Sequence, residues 1–200
     1  MSQATFTLTM NAEEFSDWAS QPENTLKQWE LVAGEPIEMP PPVELHGTVC
    51  WLISFVLGQY LFQRGEGYIC TNDTGLIVER DPDTVRGPDL MLFLESRHFE
   101  DLQRRYTDRV PTLIVEVLSP TDRFSQILRR VDQYLQHGVP LVWVVDPEDR
   151  VVHQFKLREL RKVFTISDTI TGDGILPAFS TRVHSFFALP GSSNVPLSSS

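Results

Sequence analysis

The chain has no run of eighteen or more apolar residues, and it has only two cysteines among its 200 residues. An uninterrupted apolar run of that length marks a transmembrane helix, so we expect no membrane-spanning segment. The first residues lack a basic stretch followed by an apolar one, so we also expect no signal peptide. Cys50 and Cys70 lie among apolar residues, which is typical of buried thiols and not of a disulfide scaffold or a zinc site. These features predict a cytoplasmic protein, since free thiols persist in a reducing compartment.

Basic residues are also scarce. The sequence has 17 lysines and arginines against 27 aspartates and glutamates, a formal net charge of −10. Proteins that coat nucleic acid carry a basic patch, so this charge argues against a strong nonspecific DNA binder. The charge does not exclude an enzyme that binds nucleic acid through a bound cation, because the cation offsets the negative charge of the protein at the binding site.

Two acidic residues occupy apolar strands, where carboxylates are rare. Residues 112–118 form a short, β-branched apolar run typical of a fully buried strand, and Glu116 lies within it. Asp89 opens a second apolar run at 89–94. A buried carboxylate costs several kcal/mol unless it has a partner, a proton or a metal. Two such acids followed by a basic helix are the ingredients of a metal-dependent phosphodiesterase site, since Mg²⁺ takes hard oxygen ligands.

The order of elements predicts the fold class. Strand, helix and strand over 112–145 are typical of a βαβ unit, and hairpins at 29–39 and 151–166 add antiparallel strands. We therefore predict an α/β fold with a central mixed β-sheet flanked by helices, and with N-terminal and C-terminal hairpins. Further helices are predicted at 12–18, 43–62 and 96–105, the first with Asn11 as its N-cap.

The chain length and composition suit one folded domain. We expect a lead-in with a short helix at 1–28, the domain at 29–189, and a disordered Ser-rich tail at 190–200. Ser119 and Pro120 have the residue types of a helix start, and Gly138 has that of a stop, so a helix is predicted between them. At about 100° per residue from Phe124, Arg130 falls at about 240°, on the flank of the buried stripe of this helix. Arg130 is therefore predicted to reach the two strand acids.

An ordered set of motifs resembles the Uma-type (Uma-two) restriction endonuclease family, within the PD-(D/E)XK nuclease superfamily. The similarity spans residues 29 to 187 and also includes His46. Its motifs are Glu30-Leu31-Val32-Ala33-Gly34-Glu35, Arg86-Gly87-Pro88-Asp89, Leu113-Ile114-Val115-Glu116-Val117-Leu118-Ser119-Pro120, Tyr134, Gly138-Val139 and Trp143-Val144-Val145-Asp146-Pro147.

The resemblance implies a restriction-endonuclease-like fold and a Mg²⁺- or Mn²⁺-dependent endonuclease that hydrolyses duplex DNA, with Asp89 and Glu116 as metal ligands. It also implies catalytic roles for Arg130, His46 and Glu35. In this family a lysine stands four residues before the tyrosine, where this chain has Arg130. Arginine keeps the positive charge but does not give up a proton at ordinary pH, so it can stabilise charge but hardly shuttle protons.

Plainer interpretations of single residues stay open. Glu116 could form a structural ion pair with Arg130 without a metal, and Asp89 could be an ordinary acid at a strand start. His46 could be a helix-terminal histidine, and Glu35 could be a solvated acid in a hairpin turn.

Plainer functions stay open as well. The alternative function is a catalytically lapsed nuclease fold that serves as a nucleic-acid-binding or assembly module. An RNA or single-strand substrate is less favoured, because the chain lacks an aromatic and basic stacking platform. Since two cuts in a duplex need two sites, a homodimer is also expected, but the sequence does not identify its interface.

Overall fold

The computed structural model describes residues 9–120 and 122–191. Within these residues the chain forms three α-helices and twelve strands. The helices are α1 (Ala12–Ala19), α2 (Glu44–Arg64) and α3 (Phe124–His137). The strands are β1 (Gln28–Val32), β2 (Glu35–Met39), β3 (Tyr68–Thr71), β4 (Leu76–Glu79), β5 (Thr84–Arg86), β6 (Leu90–Phe93), β7 (Leu113–Val117), β8 (Val142–Asp146), β9 (Val151–Phe155), β10 (Lys162–Phe164), β11 (Thr169–Gly172) and β12 (Leu176–Arg182).

A six-stranded sheet forms the centre, in the order β10-β9-β8-β7-β6-β3. Strands β7 and β8 run parallel because α3 connects them, and the other neighbours are antiparallel. The predicted α/β class with a central mixed sheet is thus confirmed. The predicted hairpins correspond to β1–β2 and β9–β10, and β11–β12 form a further hairpin.

Helices cover both faces of this sheet. The α2 side chains at four-residue intervals, Val49, Ile53, Leu57 and Leu61, are buried against one face, together with Trp143 of β8. α3 covers the other face, where Ile127, Val131 and Tyr134 pack on alternate residues of β7 and β8. Because the side chains of a strand alternate between faces, Glu116 lies on the α3 side, with Ile114.

α2 is long and apolar enough, by length and composition alone, to cross a membrane. In this structure it is the core helix beneath the sheet, and its buried side faces the protein interior. Its outer side is unusual, because Trp51, Phe55 and Phe62 are 49%, 55% and 91% exposed. The helix therefore has one apolar face in the core and a second apolar face toward solvent.

A second sheet, in the order β2-β1-β5-β4, carries its own small core with α1. The predicted N-cap of α1 is confirmed. The Asn11 side chain accepts a hydrogen bond from the Glu14 backbone N–H at 2.8 Å, and the Glu14 carboxylate accepts one from the Asn11 N–H at 3.0 Å. This reciprocal pair satisfies two of the free N–H groups at the helix start.

The helix predicted at 96–105 is wrong. Only a short 3-10 turn forms there, at Phe99–Asp101, and the chain becomes extended at Leu102. Phe99 is 82% exposed, so this segment buries no apolar stripe. Most helices in proteins depend on such packing rather than on propensity alone.

The predicted start of α3 is also wrong, because the helix begins at Phe124. The Ser119 N–H donates to the Asp122 carboxylate at 2.8 Å, and the Asp122 N–H donates to the Ser119 carbonyl at 2.9 Å. Asp122 thus closes a local turn that competes with the helix. The predicted stop is confirmed, since Gly138 adopts a left-handed conformation with φ of 106°.

Most of the tail predicted to be disordered, from 192 to 200, lies outside the described residues, as do residues 1–8 of the predicted lead-in. Both cysteines are free and half-buried, in agreement with the predicted absence of a disulfide.

Candidate active site

Asp89 lies directly before the first residue of β6, and Glu116 lies one residue before the end of the neighbouring strand β7. In the antiparallel pair of β6 and β7, Leu90 lies opposite Val115 and Met91 opposite Ile114. Extending this register by one residue sets Asp89 opposite Glu116. The Asp89 carboxylate, 9% exposed, accepts a hydrogen bond from the Val117 N–H at 2.6 Å through Oδ2. The strand pairing therefore brings together the two acids that the sequence predicted as metal ligands.

Glu116 has two partners from α3. The Tyr134 hydroxyl donates to Glu116 Oε1 at 2.5 Å, and Arg130 Nη1 lies 3.5 Å from the same oxygen. Burial raises the pKa of the Glu116 carboxyl well above its usual range, and the neighbouring guanidinium only partly offsets this. Tyr134 and Arg130 lie one helical turn apart, so both reach the same carboxylate.

Arg130 is held by a residue that was not predicted to be in the site. Its Nη2 lies 2.8 Å from Oε2 of Glu30, a buried residue of β1. Glu30 also binds Arg86 Nη1 at 2.8 Å and accepts the Gly87 N–H at 3.0 Å. Glu30 stands in an apolar strand like Glu116, so the signal that singled out Glu116 would also have found Glu30.

Glu35 does not join this group. It is the first residue of β2, exposed, and paired with Val32 across a two-residue turn. The hairpin therefore contributes Glu30 to the cleft, whereas Glu35 lies outside the cleft lining.

His46 approaches Asp89 from the first turn of α2. Its Nε2 lies 3.1 Å from Asp89 Oδ1, and its Nδ1 lies 3.6 Å from Cys50 Sγ. Burial acts to lower the pKa of His46, but its hydrogen bond to Asp89 and the surrounding carboxylates outweigh burial and raise it. Burial also raises the pKa of the Cys50 thiol.

Asp73 is a further acid of the cleft that the sequence did not single out. It lies in the loop between β3 and β4, with φ of 52°, and its Oδ2 accepts a hydrogen bond from Gln28 Nε2 at 2.6 Å. Burial, and then the Asp89 charge, raise the pKa of Asp73 to about 6. The stretch Thr71-Asn72-Asp73-Thr74-Gly75 looks like an ordinary polar turn, so no local pattern could have identified it.

A cleft of about 350 Å³ is lined by Glu30, His46, Asp73, Asp89, Glu116 and Arg130, among others. Its lining carries five carboxylates, those of Glu30, Asp73, Asp89, Glu116 and Asp122. Against the guanidiniums of Arg130 and of Arg86, the other partner of Glu30, three negative charges remain when all are ionised. A divalent cation would offset most of this surplus, and carboxylate oxygens suit Mg²⁺ or Mn²⁺. The donor set present therefore fits such an ion.

A neighbouring cavity of about 370 Å³ is lined by His46, Cys50, Asp73 and Asp89. The ligand atoms of His46, Cys50 and Asp89 all lie within 4.8 Å of one another. Glu116 is not a member of this group. Asp89 is thus shared between the cleft that contains the Glu116 carboxylate and the cavity beside α2 that contains the Cys50 thiol.

Comparison with protein families identifies the chain. The model of the Uma2 family, described as "Putative restriction endonuclease", matches residues 12–184. The chain belongs to this family. The match includes every residue of the cleft named above and confirms the predicted resemblance.

One solved structure supports the same fold. It is described as "a putative nuclease belonging to DUF820 from Anabaena variabilis ATCC 29413", and it superposes with a TM-score of 0.74 at 18% sequence identity. The superposition covers 89% of this chain and 97% of the other. No curated protein sequence matches the chain. At this identity the structural likeness concerns the fold, and together with the family it supports a nuclease.

Proposed function

We propose that the protein is a Mg²⁺- or Mn²⁺-dependent endonuclease that hydrolyses phosphodiester bonds in duplex DNA, and that it acts in the cytoplasm. The observation that carries this proposal is the pairing of Asp89 and Glu116 across β6 and β7, at a cleft with surplus negative charge. Phosphodiester hydrolysis needs a divalent cation, an activated water and a positive group near the developing charge.

Asp89 and Glu116 are proposed to hold the cation. When bound, it would polarise the phosphate and promote ionisation of a water. The Val117 N–H fixes one oxygen of Asp89, and the Tyr134 hydroxyl fixes one of Glu116, so both carboxylates are oriented by the protein. Pre-orientation of this kind lowers the cost of assembling a metal site.

Arg130 is proposed to neutralise the charge that develops on the phosphate. Its guanidinium carries several donors, so it can bind Glu30 and still present N–H groups to the cleft. His46, through Nε2, is proposed to orient the Asp89 carboxylate and the adjacent water. Glu35 is exposed and outside the cleft lining, so we propose no role for it.

A second function is favoured by the contacts of Arg130. Its closest carboxylate is Glu30 and it stands where the family has a lysine, so the side chain is engaged in a structural ion pair. A protein with this pair and a net charge of −10 could bind nucleic acid or a protein partner without cleaving DNA.

We also propose a homodimer, formed by the outer face of α2 around a two-fold axis. No aspartate, glutamate, lysine or arginine occurs between Leu45 and Gln63, so two copies of this acidic chain can meet there without like-charge repulsion. The exposed parts of Trp51, Phe55 and Phe62 amount to roughly 400 Å², given the usual size of aromatic side chains. That is about half of the area of some 800 Å² that each partner of a stable complex buries.

Cleavage of supercoiled plasmid DNA with Mg²⁺ or Mn²⁺ tests the nuclease function. The native protein and its Glu35→Ala variant should both nick the plasmid, whereas Glu116→Ala should not. Equal nicking by Glu116→Ala would contradict the assignment of Glu116. If folded native protein binds DNA without cutting it, the second function is correct.

A further inference from the structure

The start of α2 presents two metal-binding side chains one helical turn apart. His46 and Cys50 are separated by four residues, so they project from the same face of the helix. Their nearest atoms, Nδ1 and Sγ, are 3.6 Å apart, and both side chains are half-buried. Two ligands at this helical spacing are a familiar way to chelate a transition metal.

Asp89 adds a third donor from a different element. Its Oδ1 lies 3.1 Å from His46 Nε2, and the donor atoms of the three residues lie within 4.8 Å of one another. In a tetrahedral site with metal–ligand distances of about 2.0–2.3 Å, ligand atoms are separated by about 3.3–3.8 Å. A single ion would take only one of the two ring nitrogens of His46, and with one donor atom from each residue the three lie within 4.8 Å of one another, so side-chain rotations would bring them onto one ion.

The types of donor discriminate between metals. Imidazole and thiolate suit Zn²⁺, Co²⁺ and Fe²⁺, whereas Mg²⁺ takes oxygen ligands. Three protein ligands with an open fourth position are typical of catalytic rather than structural zinc sites. The cavity beside His46 and Cys50, about 370 Å³ in volume, leaves room for a water or a phosphate oxygen at that position.

We propose that His46, Cys50 and Asp89 form a transition-metal site, selective for Zn²⁺ and chemically similar ions, beside the carboxylate pair. This proposal extends the proposed nuclease function. It depends on that function only because Asp89 belongs to both metal sites. Metal binding removes the proton of the Cys50 thiol and does not change the oxidation state of its sulfur.

Cobalt titration of the full-length protein tests the proposal directly. Co²⁺ bound by a thiolate has a sulfur-to-metal charge-transfer absorption that oxygen and nitrogen ligands do not produce. The native protein should develop this band with one equivalent of Co²⁺, and Zn²⁺ but not excess Mg²⁺ should displace it. Cys50→Ser should lose the band, and Cys70→Ser, which alters the other half-buried free cysteine, should keep it.

His46→Gln provides a second, independent variant. It should weaken Co²⁺ binding by at least about tenfold, because replacing even a residue that only hydrogen-bonds to a metal ligand can lower metal affinity by that factor. Circular dichroism establishes that each variant is folded before titration. A native protein that binds no Co²⁺, or a charge-transfer band that survives in Cys50→Ser, would overturn the proposed site.

The titration contains no DNA, so its outcome is separable from the nuclease function. Glu116→Gln should keep the thiolate band and lose plasmid cleavage. If cleavage occurs without the band, the nuclease function stands and the mixed-donor site is wrong. If the band occurs without cleavage, the metal site stands and the nuclease function is wrong.

Discussion

Arg130 lies closer to Glu30, at 2.8 Å, than to Glu116, at 3.5 Å. The arginine that replaces the family's lysine is therefore anchored to the N-terminal hairpin and not to the strand acid that the sequence suggested as its partner. Glu116 keeps Tyr134 as its nearest partner, so its carboxylate is not neutralised by a close ion pair.

Replacing Arg130 by lysine is expected to raise the rate of DNA cleavage by at least about a hundredfold, the low end of the roughly 10²–10⁴ that a proton-transferring group contributes. Lysine keeps the charge, and unlike arginine it can exchange a proton near neutral pH when it is buried. The measurement is plasmid nicking under single-turnover conditions. The control is Arg129→Lys, because Arg129 is exposed on the same helix. No gain in Arg130→Lys would mean that this position does not limit cleavage.

Glu30→Gln is expected to destabilise the fold, because it removes the carboxylate shared by two largely buried arginines. Breaking a buried ion pair by removing one partner costs about 3–5 kcal/mol, which lowers the Tm of a domain of this size by roughly 6–20 °C. Thermal unfolding followed by circular dichroism measures the change. Glu35→Gln, in the same hairpin but exposed, should shift stability by less than about 0.5 kcal/mol. Equal shifts in Tm for the two variants would show that the ion pairs of Glu30 with the two arginines do not stabilise the fold.

Asp73 is expected to make stability depend on pH between about 4 and 6. Its folded-state pKa of about 6 exceeds the ordinary value of 3.8, so the folded protein holds the Asp73 proton more tightly than the unfolded chain. Folding is therefore favoured at low pH by this group, and that contribution is lost as the pH rises through 6.

Asp73→Asn should consequently be more stable than the native protein at pH 7, by about 1–2 kcal/mol after allowance for solvent screening, and equally stable near pH 4. Unfolding in chelator across this range measures the effect, with the exposed Asp101→Asn as the control. A difference that is independent of pH would show that the carboxyl of Asp73 does not titrate as described.

Phe62→Glu is expected to convert the dimer to monomer, because it introduces a charge at the most exposed ring of the outer α2 face. Sedimentation velocity gives the mass of each protein in solution. Phe99→Glu alters a residue of similar exposure away from α2 and should leave the dimer intact. A native protein that sediments only as a monomer contradicts the interface, and binding to lipid vesicles would then assign this face to a membrane surface.

Periodicity in the sequence predicted the elements that carry their own pattern. β7, the long helix α2 and the β1–β2 hairpin were found because burial imposes a repeat of two or of about 3.6 residues. Asp89 and Glu116 were also identified as a pair, since both stand in apolar runs that were predicted to be strands. The start of α3 was not predicted correctly. Ser119, Pro120 and Asp122 are residue types typical of a helix start, but the Asp122 carboxylate forms a local turn with the Ser119 N–H instead.

The remaining residues of the site depend on contacts between distant parts of the chain. Asp73 lies in a polar turn, and only the packing of β3 against β6 carries it to the cleft. Cys50 looked like an isolated apolar thiol, and its approach to Asp89 is set by how α2 packs on the sheet. Such placements leave no local pattern in a single sequence.

The contacts of Glu30 have a consequence for the order in which the chain folds. Glu30 is synthesised early, whereas its two cations follow 56 residues later, at Arg86, and in the third helix, at Arg130. Contacts between residues so far apart in sequence form slowly, because the intervening chain must first be ordered. The N-terminal hairpin thus cannot complete its pair of buried charge partners until α3 has formed on the central sheet and brought Arg130 to Glu30. We expect residues 28–39 to be the last part of the cleft to become protected from hydrogen exchange during refolding.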